Sequence, residues 1–209
     1  MHMKKHDSSY YRLEARKALQ GKWSLAVGAT ALFFLATMIS QSSGQVIFFL
    51  PLILAPALSY GYTVFFLRFS RGEESTVSVL FDGFSNRFGT ILFVYLVMMV
   101  RILLWSLLLI IPGIVAAFAY SQTWFILVDK KDIGALGAIE ESKRMMMGHK
   151  WQLFLLSLSF IGWSLLTILT LFIGYLWLTP YMWVTFAKFY DSIKHEMSHK
   201  EEIVEVIPA

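Results

Sequence analysis

Residues Glu140 to Trp163 read EESKRMMMGHKWQLFLLSLSFIGW. The stretch opens as a charged, amphipathic turn. It passes through Gly148-His149-Lys150-Trp151 and then becomes an apolar helix long enough to enter a bilayer. The same change recurs at Gly21-Lys22-Trp23 and, more weakly, at Asn86-Arg87-Phe88. This transition from surface to membrane is the repeating unit of the chain.

The composition agrees. Of 209 residues, 57% are hydrophobic and only 15% are charged, where a soluble domain carries about 25%. So little polar residue cannot cover the surface of a soluble core of this size. The expected class is an all-α integral membrane protein. The absence of cysteine rules out disulfides, thiolate metal sites and cysteine nucleophiles. The net charge of +4 is the positive-inside bias and contact with anionic lipid, not a nucleic-acid footprint.

In chain order, residues 1–22 form an amphipathic segment with Tyr11, Ala15 and Ala18 on one helical face, suited to lying on a membrane surface. Residues 23–190 form the membrane domain, with spans at about 23–40, 46–69, 88–111, 113–128, 151–171 and 174–190. The first span follows a mixed-charge segment without a small-x-small cleavage site, so it reads as uncleaved. Pro51, Pro56 and Pro180 are expected helix kinks. Ile111-Pro112-Gly113 reads as a tight reversal. In the loop before the fifth span, Ala135, Ala138, Ile139, Ser142, Met145 and Met146 share a helical face. Residues 191–209 are a charged tail expected to be mobile.

Charge sets the topology. The loops joining spans one to two, three to four and five to six carry no Lys, Arg, Asp or Glu, and apart from Arg101 the charged residues fall on the opposite side. Both termini are therefore expected in the cytoplasm, with Trp23, Trp151, Tyr62 and Tyr190 in an aromatic belt at the inner interface. The basic-aromatic pairs Lys22-Trp23, Arg87-Phe88 and Lys150-Trp151 are the interfacial anchors, spaced 65 and 63 residues apart. With Pro56, Pro112 and Pro180 they outline three helical hairpins related by an internal repeat, with amphipathic helices on the cytoplasmic face.

Chemistry is sparse. All five histidines lie outside the spans. The letters His195-Glu196-Met197-Ser198-His199 satisfy a two-histidine zinc pattern, but they lie in a polar tail without a third ligand or a cleft. No metal or other cofactor is expected, and no serine elbow or phosphate loop points to a catalytic residue. Arg101 is the one charge inside a span. Such a charge costs about 2.5–3.5 kcal/mol and usually faces the bundle interior or a watery cavity. Counting along the helix puts it roughly 20 Å from Phe88, in the outer half, with no acid in any span to pair with it. Its candidate partners are helix carbonyls, Gln122, tyrosine hydroxyls such as Tyr120, water, or an anion such as a lipid phosphate. The alternative is an arginine that snorkels to the interface for purely structural reasons.

From about Arg16 to Tyr190, several runs resemble one bacterial integral membrane family. These include Gly21-Lys22-Trp23, Ile111-Pro112-Gly113-Ile114, Tyr120-Ser121, Met147-Gly148, Lys150-Trp151-Gln152-Leu153-Phe154, Phe160-Ile161-Gly162-Trp163 and Pro180-Tyr181. The family is domain of unknown function 975, similar in layout to the membrane domain of some glycerophosphodiester phosphodiesterases. The resemblance implies a multi-span protein of the bacterial plasma membrane and no established activity. The expected partners are membrane lipids, anionic ones among them, and a second copy or a membrane partner protein. The expected role is binding or translocation of a lipid or anionic amphiphile. The alternative is a scaffold or immunity-type protein against membrane-active peptides. The lack of acids in the spans disfavours proton or sodium coupling through a carboxylate.

Overall fold

The computed structural model describes residues 7–42, 50–85 and 87–206. Every regular element among them is helical: α1 (Ser8–Leu19), α2 (Trp23–Ser42), α3 (Leu50–Ser70), a 3-10 helix (Val77–Phe84), α4 (Phe88–Leu108), α5 (Ile110–Tyr120), α6 (Thr123–Asp129), α7 (Ala135–Met145), α8 (Lys150–Leu158), α9 (Ile161–Leu169) and α10 (Tyr175–Val206). Four stretches are long and apolar enough to cross a membrane: Pro51–Ser70, Phe88–Leu107, Ile110–Asp129 and Lys150–Leu169. The pair α1–α2, bent by 100°, would make a fifth.

Two joints have the same local cause. Gly21 and Gly148 both adopt left-handed backbone, φ +74° and +79°, which side chains other than glycine disfavour. Each ends a polar helix just before the basic-aromatic start of an apolar one. Asn86, in the third joint, lies outside the described residues, as do Ser43–Gly44 of the first outer turn and residues 46–49 of the second expected span.

The reversal after α4 falls at Leu109, which is extended (φ −166°). Pro112 is thus the third residue of α5, where a missing N–H still costs no helical bond. A side chain on Gly113 would overlap Ser106, so glycine lets α4 and α5 close on each other. Pro56 and Pro180 are inside helices as expected, but Pro51 is the second residue of α3 and breaks no interior bond. The fourth and fifth expected spans are each broken, at Ser121-Gln122 and at Ser159-Phe160. α10 does not stop at Tyr190; the expected mobile tail continues it as far as Val206.

The core lies between α1, α2, α3, α6 and α10. Tyr62 and Tyr190, expected in the interfacial belt, are fully buried in it. The reason is that each hydroxyl has an interior partner: Thr30 Oγ1 at 2.9 Å from Tyr62, and Asp129 Oδ2 accepting from Tyr190 at 3.0 Å. The rings pack edge-on or stacked on Trp183 (5.1 Å) and Phe125 (5.2 Å).

The segment after α3 is not a free surface loop. Leu80 lies against Gly61 and Gly83 lies against Ala57, so closely that a Cβ on either glycine would overlap the facing backbone carbonyl. The 3-10 helix therefore doubles back along α3. α7 also packs into the bundle, burying Ala138, Ile139, Ser142 and Met145, four of the six residues expected on its apolar face; Met146 just beyond it is buried too.

Candidate functional site

α7 runs alongside α4. At one end Arg87 Nη1 donates to the Leu127 carbonyl at 2.9 Å and Nη2 to the Ile133 carbonyl at 3.5 Å. At the other end Arg101 lines a cleft of about 390 Å³ together with Trp105, Tyr120, Glu140, Lys143 and Lys150. Depth counted along α4 alone had separated Arg101 from the polar joint. The joint reaches it because α7 lies beside α4 rather than across its end.

Arg101 is half-buried. Among the described residues, Arg101, Lys143 and Lys150 form no ion pair. Three cations thus face one acid, Glu140, which leaves the cleft at +2. Trp105 is 48% exposed and Val115 is 46% exposed, so the mouth is apolar. The arrangement offers an electrostatic seat for an anion beside a surface on which an acyl chain could lie.

Of the three expected ligand residues, the fold brings Arg101 and Tyr120 together and sends Gln122 elsewhere. Tyr120 and Gln122 are two residues apart, about 200° around a helix. Gln122 lines a second cavity of about 310 Å³ with Phe118, Ser121, Phe125, Ser157, Trp183 and Phe186. The break beside it is held by Ser142 of α7. The Gln122 backbone N–H donates to Ser142 Oγ at 3.2 Å, and that hydroxyl donates to the Ala119 carbonyl at 2.9 Å.

The anchors divide likewise. Trp151 is 67% exposed and stacks on Phe154 at 5.1 Å. Trp23 is half-buried and shares an apolar groove with Trp163 and Trp177. Lys22 lies over the Phe69 ring at 5.9 Å. Phe88 stacks on Phe84 at 6.1 Å. Arg87 donates to carbonyls of the bundle and Lys150 lines the Arg101 cleft.

Sequence reasoning missed a polar cluster where α3, α6 and α10 meet. Arg71 bridges Asp129 and Asp191, and Lys194 adds a bond to Asp129 at 2.6 Å. The signal was faint: an arginine at the end of an apolar run, an Asp-Lys-Lys-Asp run and an Asp just past another apolar run. In the tail, Glu196 pairs with His149 at 3.1 Å instead of completing a metal pattern with His195 and His199. Among the described residues no group of three or more His, Asp or Glu side chains is placed to hold a metal.

A family model described as "Protein of unknown function (DUF975)" matches residues 1–117 and 107–197. The chain belongs to this family. Neither the curated proteins nor the solved structures give a match. Membership fixes the kind of chain and leaves its activity to be read from the clefts.

Proposed function

We propose that this member of the family is a multi-pass protein of the bacterial plasma membrane that binds an anionic amphiphile, a lipid with a phosphate headgroup, at the Arg101 cleft. The observation that carries the reading is that Arg101, Lys143 and Lys150, none in an ion pair among the described residues, line one cavity with an apolar mouth. A half-buried cation such as Arg101 is costly without a counter-charge, and a phosphate supplies one along with several strong acceptors for the guanidinium fork. Tyr120 contributes a phenolic hydroxyl to the same lining. Movement of the bound amphiphile between leaflets would be a further property of this site.

In the same reading the chain crosses the membrane six times, through α2, α3, α4, α5–α6, α8–α9 and the apolar half of α10, with both termini in the cytoplasm. The meeting of Arg71, Asp129, Asp191 and Lys194 supports it, because it gathers the charged ends of three helices on one side. The matching left-handed glycines at Gly21 and Gly148 support a repeat between the first and third of three proposed hairpins.

The test is retention of lipid by the purified protein, followed by native mass spectrometry. Wild type should retain phosphatidylglycerol in preference to phosphatidylcholine. Arg101→Ala, and separately Lys143→Gln with Lys150→Gln, should remove the preference while the melting temperature holds. A competing series with inorganic phosphate separates headgroup recognition from binding of a free anion. Equal retention of the two lipids by wild type would overturn the reading.

A further inference from the structure

α9 and α10 are joined by the turn 170–174, and a groove of about 340 Å³ lies between them. Trp163 stands seven residues before Thr170 and Tyr181 seven after Gly174, so each wall runs about 10 Å along its helix. The turn closes one end. There the Gly174 N–H donates to Thr170 Oγ1 at 3.0 Å, and a Cβ on Gly174 would press on Thr170 and Thr167. At the other end Arg16 of α1 and Trp23 of α2 complete the lining. Arg16 is placed there by its ring contact: its guanidinium carbon lies 5.7 Å from the centre of the Tyr181 ring.

The walls are aromatic and aliphatic because their hydroxyls are already committed. Thr167 donates to the Ser164 carbonyl at 2.7 Å and Thr170 to the Thr167 carbonyl at 2.9 Å. The Tyr181 hydroxyl donates to the Arg12 carbonyl at 3.3 Å. Trp163 and Trp177 are exposed along the groove. Arg16 is its one charged residue and is also exposed. It forms no ion pair among the described residues. Three tryptophans and a tyrosine could surround a quaternary ammonium, but Arg16 already lies over Tyr181, and a second cation would meet a like charge. An anion meets the opposite one. The volume of about 340 Å³ is near the lower end of the roughly 300–1,000 Å³ of ligand pockets, which suits one alkyl chain better than the two of a phospholipid.

We infer that this groove is a binding site, separate from the Arg101 cleft, for a single-chain anionic amphiphile of the fatty-acid class. The carboxylate pairs with the Arg16 guanidinium, whose fork matches it in parallel bonds. The chain passes Trp163 and Trp177 towards the closed end at Gly174, held by the apolar area it buries on the rings. Arg16 thus sets which end of the ligand lies beside α1. The site does not depend on the reading of the Arg101 cleft.

The test uses the full chain in phosphatidylcholine nanodiscs, in mildly alkaline buffer, with ω-bromodecanoate as the probe and quenching of tryptophan fluorescence by its bromine as the readout. Probe is counted as its mole fraction in the bilayer. Quenching should saturate, at a mole fraction roughly tenfold lower for the carboxylate than for its methyl ester. Trp177→Phe, on the side of the bromine, should remove most of the saturable quenching. Arg16→Gln should reduce the preference to about twofold or less, and Arg16→Lys should keep part of it. A purely structural arginine would move neither ratio. Unbrominated decanoate should displace the probe, and decyltrimethylammonium should not. Arg101→Ala should leave the preference unchanged. Equal quenching by carboxylate and ester in the wild type would overturn the inference. So would a preference that survives Arg16→Gln or is lost in Arg101→Ala, saturable quenching that persists in Trp177→Phe, or displacement by the cationic amphiphile.

Discussion

Arg71 at the end of α3 grips Asp129 at the end of α6 through two parallel bonds, Nη1 to Oδ1 at 2.7 Å and Nη2 to Oδ2 at 2.8 Å. The residues are 58 apart in sequence, and the Asp129 side chain is only 9% exposed. The same guanidinium reaches Asp191 of α10 at 2.6 Å. One side chain therefore ties three helices at one end of the bundle.

Removing that fork strands a nearly buried carboxylate with Lys194 and Tyr190 as its remaining partners. Arg71→Ala should destabilise the protein by about 2–3 kcal/mol, and Arg71→Lys should recover only part of this because an ammonium cannot bond in parallel. Thermal unfolding in detergent measures both. The exposed Lys17–Glu14 pair, at 2.8 Å, serves as the contrast: Lys17→Ala should leave the melting temperature within error.

The docking of the 3-10 helix on α3 rests on two glycines. Gly61→Ala or Gly83→Ala would drive a methyl into the backbone of Leu80 or Ala57, neither of which can rotate away. Each should cost about 1–3 kcal/mol or more and loosen the segment, measurable as faster amide exchange over residues 77–84. Gly28→Ala, inside α2 with open space around it, should instead be neutral or stabilise by up to about 1 kcal/mol.

Ser142 is a small residue with two obligations. Ser142→Ala would orphan the Gln122 N–H and the Ala119 carbonyl, both buried at the α5–α6 break. A loss of about 1–3 kcal/mol is expected, with protease sensitivity appearing near residues 120–123. Ser142→Thr keeps the hydroxyl and should retain more stability than Ser142→Ala if the hydrogen bonds are what matter.

Glu141 sets an acid limit for α7. Burial raises its pKa, but hydrogen bonds from Arg144 (3.1 Å) and Lys130 (3.2 Å), with their charges, outweigh this and hold it below the ordinary glutamate value. A depressed folded-state pKa gives stability that is complete above the unfolded value. That stability is lost as the pH falls through the folded one, so the loss begins below about pH 4.3. Carboxyl carbon NMR should show Glu141 titrating low in the wild type and closer to the free value in Arg144→Ala. A wild-type Glu141 that titrates like a free glutamate would show that the two bonds do not hold in solution.

Much of the fold was legible because the solvent problem is written locally. Apolar runs, the face Ala138–Ile139–Ser142–Met145 and the glycine joints each follow from residues within a few turns of one another. The site was less legible. Tyr62 and Tyr190 carry the composition of interfacial residues, and nothing in their neighbourhoods announces Thr30 or Asp129 as partners. Arg101 stood out as the one charge in an apolar run, but its cleft-mates Lys143 and Lys150 come from two elements, α7 and α8, more than forty residues away.

The sequence by itself determined the helical class, the apolar segments, the polar joints and the presence of one charge within an apolar run, since hydropathy and helical periodicity act over a few turns. Tertiary structure alone decided that α7 lies along α4, which converts a lone arginine into a cationic cleft. It also decided that Arg101 and Tyr120 line one cavity and Gln122 another. Side chains two positions apart point to opposite sides of a helix, and which neighbours stand on those sides is set by long-range packing that no local pattern encodes.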